Sequence, residues 1–219
     1  AIGYSLILLW AVGGFLSALQ IGTQSITARR FGEKAWNKAG RIMSNSLVLT
    51  ISTSIVASVI MYMLIEAVFP FFNRDPGVLS LGIPYAEWRM LGIFPMVVVM
   101  SYKGFFDGIG FTKAHMFAAI LMNILNVVLN FVFIFGMGPI EPMYVEGAGV
   151  ASTISSTVGL LLMVVISFWP KYLSKYRYYG LKNLEARVLR EISRLSIPYG
   201  FATLFMMAGF GVFLKIVGM

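Results

Sequence analysis

Asn123, Asn126 and Asn130 are the residues of this sequence best placed to do chemistry. They interrupt FAAILMNILNVVLNFVFIFG, residues 117–136, a stretch that holds no charged side chain. At about 100° per residue, a helix puts the three amides within an arc of about 60°. An amide in hydrocarbon is costly unless it finds a partner. Its carbonyl oxygen can ligate a hard cation and its NH₂ can donate to a neighbour, but it cannot take up and release a proton near neutral pH. Such a stripe either lines an ion or substrate pathway or fastens one helix to another, where a bond of this kind typically gives about 0.6 kcal/mol. Spacing alone leaves both readings open. Gln20 and Gln24, on one face with Ser17 and Thr27 in the first apolar stretch, pose the same choice between pathway and hydrogen-bonded packing. Ser152 adds a hydroxyl one turn inside a later stretch, on a face shared with Ser155 and Ser156.

The other reactive residue types exclude more than they suggest. A single histidine and no cysteine rule out a histidine metal cluster, a thiolate metal site and a disulfide framework. Glu66, Glu87, Asp107 and His115 fall near span ends on two different faces and form no acid–base cluster, so no enzyme is expected. His115 reads as an interfacial residue without a ligand role. The formal net charge of +8 sits in loops beside apolar spans, where lipid headgroups and topology account for it, and no nucleic-acid partner is expected.

These residues must be held by membrane helices. With 58% hydrophobic and 12% charged residues and a mean hydropathy of +0.83, the apolar side chains gather in six segments, near residues 1–28, 42–68, 84–104, 116–136, 147–169 and 196–219. Each can cross a hydrocarbon core of roughly 30 Å. The fold class is therefore all-α, a polytopic transmembrane bundle with the lipid bilayer as its first partner. Connections alternate sides, and loops one, three and five together carry fourteen of the seventeen Lys and Arg residues. The positive-inside bias places those loops in the cytoplasm and both ends of the chain outside.

Finer signals refine the spans. Gly14, Ala18 and Gly22 form a small-residue face that permits close helix approach. Ser46, Thr50, Ser54 and Ser58 recur every four residues and read as packing, with hydroxyls bonded back to their own helix. Pro95 should kink the third span, Gly147 and Gly149 allow close backbone approach in the fifth, and Arg89 lies near an outer boundary. Asn183 reads as the cap of an amphipathic linker helix, with Leu184, Val188, Ile192 and Leu195 on one stripe and Arg187, Arg190 and Arg194 on another. Trp169, Tyr172, Tyr176, Tyr178 and Tyr179 read as an interfacial aromatic belt.

Taken in order and spacing, ARRFG with its following basic residues, GIGFTKAHM, MNILNVVLNFVFIFG and EGAGVAST resemble the multidrug and toxic compound extrusion (MATE) transporters over essentially the whole chain. The resemblance implies one half of a twelve-helix, two-lobe protein. Residues 1–169 would be the N-lobe helices (family helices 2 to 6), residues 170–195 the cytoplasmic interlobe linker and residues 196–219 the first helix of the second lobe. The chain would then be a fragment, a reading to which its start without Met and its apolar ends contribute. Its missing first helix and second lobe would be its partners within one transporter.

The implied function is secondary antiport, the export of amphipathic or cationic organic compounds in exchange for sodium or protons, with no cofactor other than the coupling ion. The implied location is a bacterial or archaeal inner membrane. Carried over by position, Asn126 matches the family's cation-site asparagine, Asn130 stands where many members have aspartate, and Ser152 matches a hydroxyl position. All three are candidate sodium ligands, and the amide at Asn130 puts proton coupling there in doubt. Asp107 and Phe111 depart from the family pattern at the Gly-x-Gly loop. The alternatives are a lipid-linked saccharide flippase of the same superfamily, which would line its cavity with positive charge, and a non-transporting membrane scaffold.

Overall fold

The computed structural model describes residues 2–71 and 74–217. The described helices are α1 (Ile2–Ser17), α2 (Leu19–Gly32), α3 (Trp36–Val68), α4 (Pro76–Leu91), α5 (Ile93–Gly108), α6 (Lys113–Phe135), α7 (Tyr144–Ser167), α8 (Pro170–Tyr176) and α9 (Ala186–Val217). They make six stretches long and apolar enough to cross a membrane: α1 with α2, α3, α4 with α5, α6, α7 and α9.

Two of these spans are broken rather than straight. The first, read from sequence as one helix, divides at Ala18, whose N–H turns to the carbonyl of Phe15 three residues back. The third divides at Gly92, just before the predicted kink residue. Pro95 has no N–H for the carbonyl of Leu91, so the break falls one turn ahead of the proline. This span also begins earlier than its apolar run. Asp75 caps α4 by accepting from the N–H groups of Gly77 and Val78 at 2.7 and 3.2 Å, with Pro76 in the first helical position.

Glycines set the close helix crossings. A methyl group at Gly104 would lie 2.7 Å from the carbonyl oxygen of Gln20, and one at Gly108 would lie 2.8 Å from Thr27 Cβ, so α2 lies tightly along α5. Gly147 meets the backbone of Phe133 on α6 and Gly149 meets that of Tyr85 on α4, which seats α7 between those two helices as the Gly-x-Gly reading expects. Gly14 faces Thr203, and Gly22 faces Ser196 and the Ile192 carbonyl, so the predicted small-residue face is the seat of α9.

The hydroxyl ladder of α3 is only partly self-bonded. Thr50 donates to the Ser46 carbonyl, but Ser58 donates across to the Met90 carbonyl at 2.6 Å. Ser46 itself lies 2.7 Å from Thr23 Oγ1 on α2 and 2.6 Å from Ser101 Oγ on α5. These three fully buried hydroxyls tie three helices together. In a bilayer, where apolar packing gains little from exclusion of water, such bonds and tight fits carry the association.

The linker region corrects two expectations. Tyr176 and Tyr178 are 2% and 1% exposed and belong to the core with Met43, Phe105 and Phe106, not to an aromatic belt. Arg177 adopts left-handed backbone, φ 47°, which ends α8 and turns Tyr178 back into the bundle, where its hydroxyl bonds the Ser167 carbonyl. Trp169 and Tyr179 remain exposed, as a belt requires. Asn183 caps no helix. It donates to the Arg177 carbonyl and to Ser44 Oγ, and its own carbonyl accepts from Asn45. Buried Asn45 also accepts from the Glu185 N–H at 2.9 Å and so clamps the linker to α3 from both sides. Beyond the clamp, α9 runs unbroken through positions 195 and 196 with Pro198 inside it. Residues 186–195 and the last span are therefore one continuous helix.

Loops one, three and five meet at one end of the bundle. Tyr176 contacts Trp36 and Phe105 edge-on, Tyr172 stacks on Phe111, and Lys175 lies over the Trp36 ring at 3.9 Å. The three basic loops of the sequence thus share a face, as their alternation predicts.

Candidate functional site

Asn126 and Asn130 lie on successive turns of α6, the helix least covered by its neighbours, with only Ala114 and Ala118 fully buried. The Asn126 amide donates to Ser152 Oγ on α7 at 3.2 Å, and the Asn130 amide donates to Asn126 Oδ1 at 3.0 Å. The remaining oxygen of this chain, Asn130 Oδ1, is buried and accepts from no described group. A buried, unpartnered amide carbonyl is costly, and a donor or a cation is what would relieve it. The result is a row of three neutral oxygens across the α6–α7 seam, with no carboxylate anywhere on α6. Three oxygens are fewer than the roughly six or more that hard dications such as calcium and magnesium take. They fit one wall of a cation site, to be completed by water, substrate or other parts of the protein.

The other sequence candidates separate from this pair. Asn123 is exposed and donates to the carbonyl of Ala119 in its own helix, so its bonding is local. Gln20 and Gln24 are half-buried on α2, where their backbone carbonyls face Gly104 and Gly108 of α5. Thr27 on α2 and Ser17 at the end of α1, just before the break at Ala18, have buried hydroxyls without a hydrogen-bond partner among the described residues. The α2 backbone at the glutamines therefore makes the α2–α5 contact, and the asparagine side chains make the α6–α7 contact.

Two side chains next to the site were not singled out by sequence. Thr153, the neighbour of Ser152, donates to the Trp88 carbonyl at 2.6 Å, and the Trp88 indole donates to Glu146 at 3.1 Å. Adjacent residues of α7 thus hold α6 on one side and α4 on the other. Arg89 follows Trp88, and its Nε is buried with no acceptor among the described residues. An ionic side chain at a span boundary was visible in sequence, but its want of a partner was not.

The MatE family model matches residues 1–132. A probable multidrug resistance protein NorM of Bacillus cereus is 25% identical over 191 residues, covering 87% of this chain and 42% of the relative. An inward-facing multidrug resistance MATE family transporter of the MOP superfamily superposes with a TM-score of 0.82 at 25% identity, over 92% of this chain and 45% of that one. An outward-facing conformation of a multidrug resistance MATE family transporter gives 0.83 at 25% identity, over 93% and 44%. The chain spans less than half the length of these relatives and resembles both conformations equally well.

Proposed function

Because the chain belongs to the MatE family, we propose that it forms the N-terminal lobe of a secondary antiporter that exports amphipathic or cationic organic compounds in exchange for sodium or protons. In this reading residues 1–169 are lobe helices, 170–195 the linker on the cytoplasmic side and 196–219 the first helix of the second lobe. A missing first helix and second lobe complete the transporter. The even likeness to inward- and outward-facing relatives supports a lobe that rocks as a body while the cavity between lobes changes sides.

The observation that carries the reading is the unpartnered Asn130 Oδ1 at the end of the Ser152, Asn126, Asn130 chain. Asn126 and Asn130 supply carbonyl oxygens and Ser152 a hydroxyl to the coupling ion, and sodium suits such neutral oxygens better than a proton does. Gln20 and Gln24 border the pathway rather than the ion.

The test is dye efflux from proteoliposomes of the full-length protein under separate sodium and proton gradients, for wild type and Asn130→Leu. Sodium-driven efflux that disappears in the variant, at equal amounts of folded protein, is the expected result. Equal turnover in both would leave the asparagines as helix fasteners only.

A further inference from the structure

At the basic end of the bundle, two segments far apart in sequence bring arginines together. Arg29 and Arg30 end α2, and Arg187, Arg190 and Arg194 lie along the start of α9. At about 100° per residue, the three α9 arginines fall within an arc of about 60°. They line one groove with Arg29, Arg30 and a single acid, Glu191. Glu191 is already paired with Arg29 at 2.9 Å, and Arg30 pairs with Glu33 at 2.9 Å. None of Arg187, Arg190 and Arg194 has a carboxylate within ion-pair distance among the described residues, and all three are exposed. The Arg29–Glu191 pair holds the two helices in register, so the groove is already formed.

The same helix turns apolar at once below the arginines. Ile197 and Phe201, on the arginine side of the helix, are exposed, and α9 continues into a membrane-spanning stretch. Cationic side chains directly above an exposed apolar surface mark the headgroup level of a leaflet. Lone arginines at a membrane face are common, but three without counterions lining one groove offer the forked donors that a phosphate accepts from.

We propose that the α2–α9 groove binds the phosphate of an anionic phospholipid, with Arg187, Arg190 and Arg194 as its ligands and the acyl chains lying against Ile197 and Phe201 on the same helix face. A lipid held there bridges the first span and the helix that leads out of the linker. Anionic lipid would thereby stiffen the contact between those two elements. This is independent of which ion drives transport.

The test uses full-length protein in phosphatidylcholine nanodiscs with and without phosphatidylglycerol, with retained lipids counted by native mass spectrometry after detergent exchange. Wild type should retain phosphatidylglycerol in preference to phosphatidylcholine, and the triple variant Arg187→Gln, Arg190→Gln, Arg194→Gln should lose at least tenfold of that preference. Arg190→Gln alone should lose part of it, which keeps the test open should the triple variant fold poorly. The control removes as many charges at the same end but outside the groove: Lys34→Gln, Arg177→Gln, Lys182→Gln. A loss in the control as large as in the triple variant would mean diffuse attraction and overturn the site. Displacement of phosphatidylglycerol by inorganic phosphate would assign the groove to a soluble anion and overturn the lipid.

Discussion

A methyl group placed on Gly40 would lie 1.8 Å from the carbonyl oxygen of Tyr176. The contact is backbone against backbone, between the first turns of α3 and the last residue of α8, so no side-chain rotation can relieve it. Residues 170–185 are held on the bundle by contacts on either side of this approach, among them the Tyr176 ring against Trp36 and Phe105, the Tyr178 hydroxyl on Ser167, and the Asn45 clamp.

Gly40→Ala should therefore undock the linker while leaving the spans folded. Overpacking of this kind typically costs about 1–3 kcal/mol, and two backbones that cannot yield put it at the upper end. Trypsin cleavage at Arg177 and Lys182, followed in detergent, should accelerate severalfold in the variant. Unchanged cleavage would show that α8 does not rest on Gly40.

The buried hydroxyls of Thr23, Ser46 and Ser101 give a stability prediction with an internal control. Ser46→Ala leaves the Ser101 hydroxyl without its partner while Thr23 keeps its bond to the Leu19 carbonyl, and an unsatisfied buried polar group costs about 1–3 kcal/mol. Replacing all three together, Thr23→Val with Ser46→Ala and Ser101→Ala, removes donor and acceptor alike and should cost less than the single change. Thermal unfolding of the purified protein reads both. A triple variant destabilised by the sum of three separate losses would mean that the hydroxyls do not act as one chain.

The six spans were legible because each is an apolar run of crossing length, and the common face of loops one, three and five was legible from charge. The start of α4 was not, because SLGI and the residues before it lack an unbroken apolar run and its cap is the local Asp75–Pro76 pair. Asn126 and Asn130 could be grouped by helix spacing, and Ser152 joined them only through the family resemblance, but spacing could not exclude Asn123, whose amide turns back to Ala119. The Asn45 clamp was illegible for a different reason: its partner Asn183 lies 138 positions away, and nothing local distinguishes a clamp from a packed asparagine. The burial of Tyr176 and Tyr178 depends likewise on the left-handed turn at Arg177, which a basic, aromatic segment does not announce.

Linker docking should also weaken in alkali. Burial raises the Tyr176 hydroxyl to about 12, with Tyr172 adding a smaller push, whereas an unfolded tyrosine titrates near ~10. The folded value exceeds the unfolded one, so the stability this ring contributes is whole below pH ~10 and is lost as pH rises towards its folded value. Tyr178 is shifted the same way, by burial first and then by Tyr179. Tyrosinate absorbance should rise in a late step that coincides with linker release, and Tyr176→Phe, which keeps the ring contacts, should reduce that step. A single titration near the ordinary tyrosine value would contradict the burial.

The last prediction concerns Asn130→Asp, which places a carboxyl where an unpartnered amide oxygen now sits. Burial in a membrane helix disfavours the ionised form, so the new group should titrate above the ordinary aspartate value. Below that value the side chain is neutral, like the amide it replaces, and the apparent sodium affinity of transport should stay close to that of wild type. Above it the site gains a negative charge beside Asn126 and Ser152, and sodium should bind more tightly. Wild type has no titratable group on α6 deeper than His115, so its sodium affinity should vary much less over the same range. The measurement is the sodium dependence of efflux in proteoliposomes at a series of pH values for the two proteins. Parallel curves would remove Asn130 from the ion's path. Curves that coincide at low pH and separate as it rises would place its oxygen among the ion's ligands.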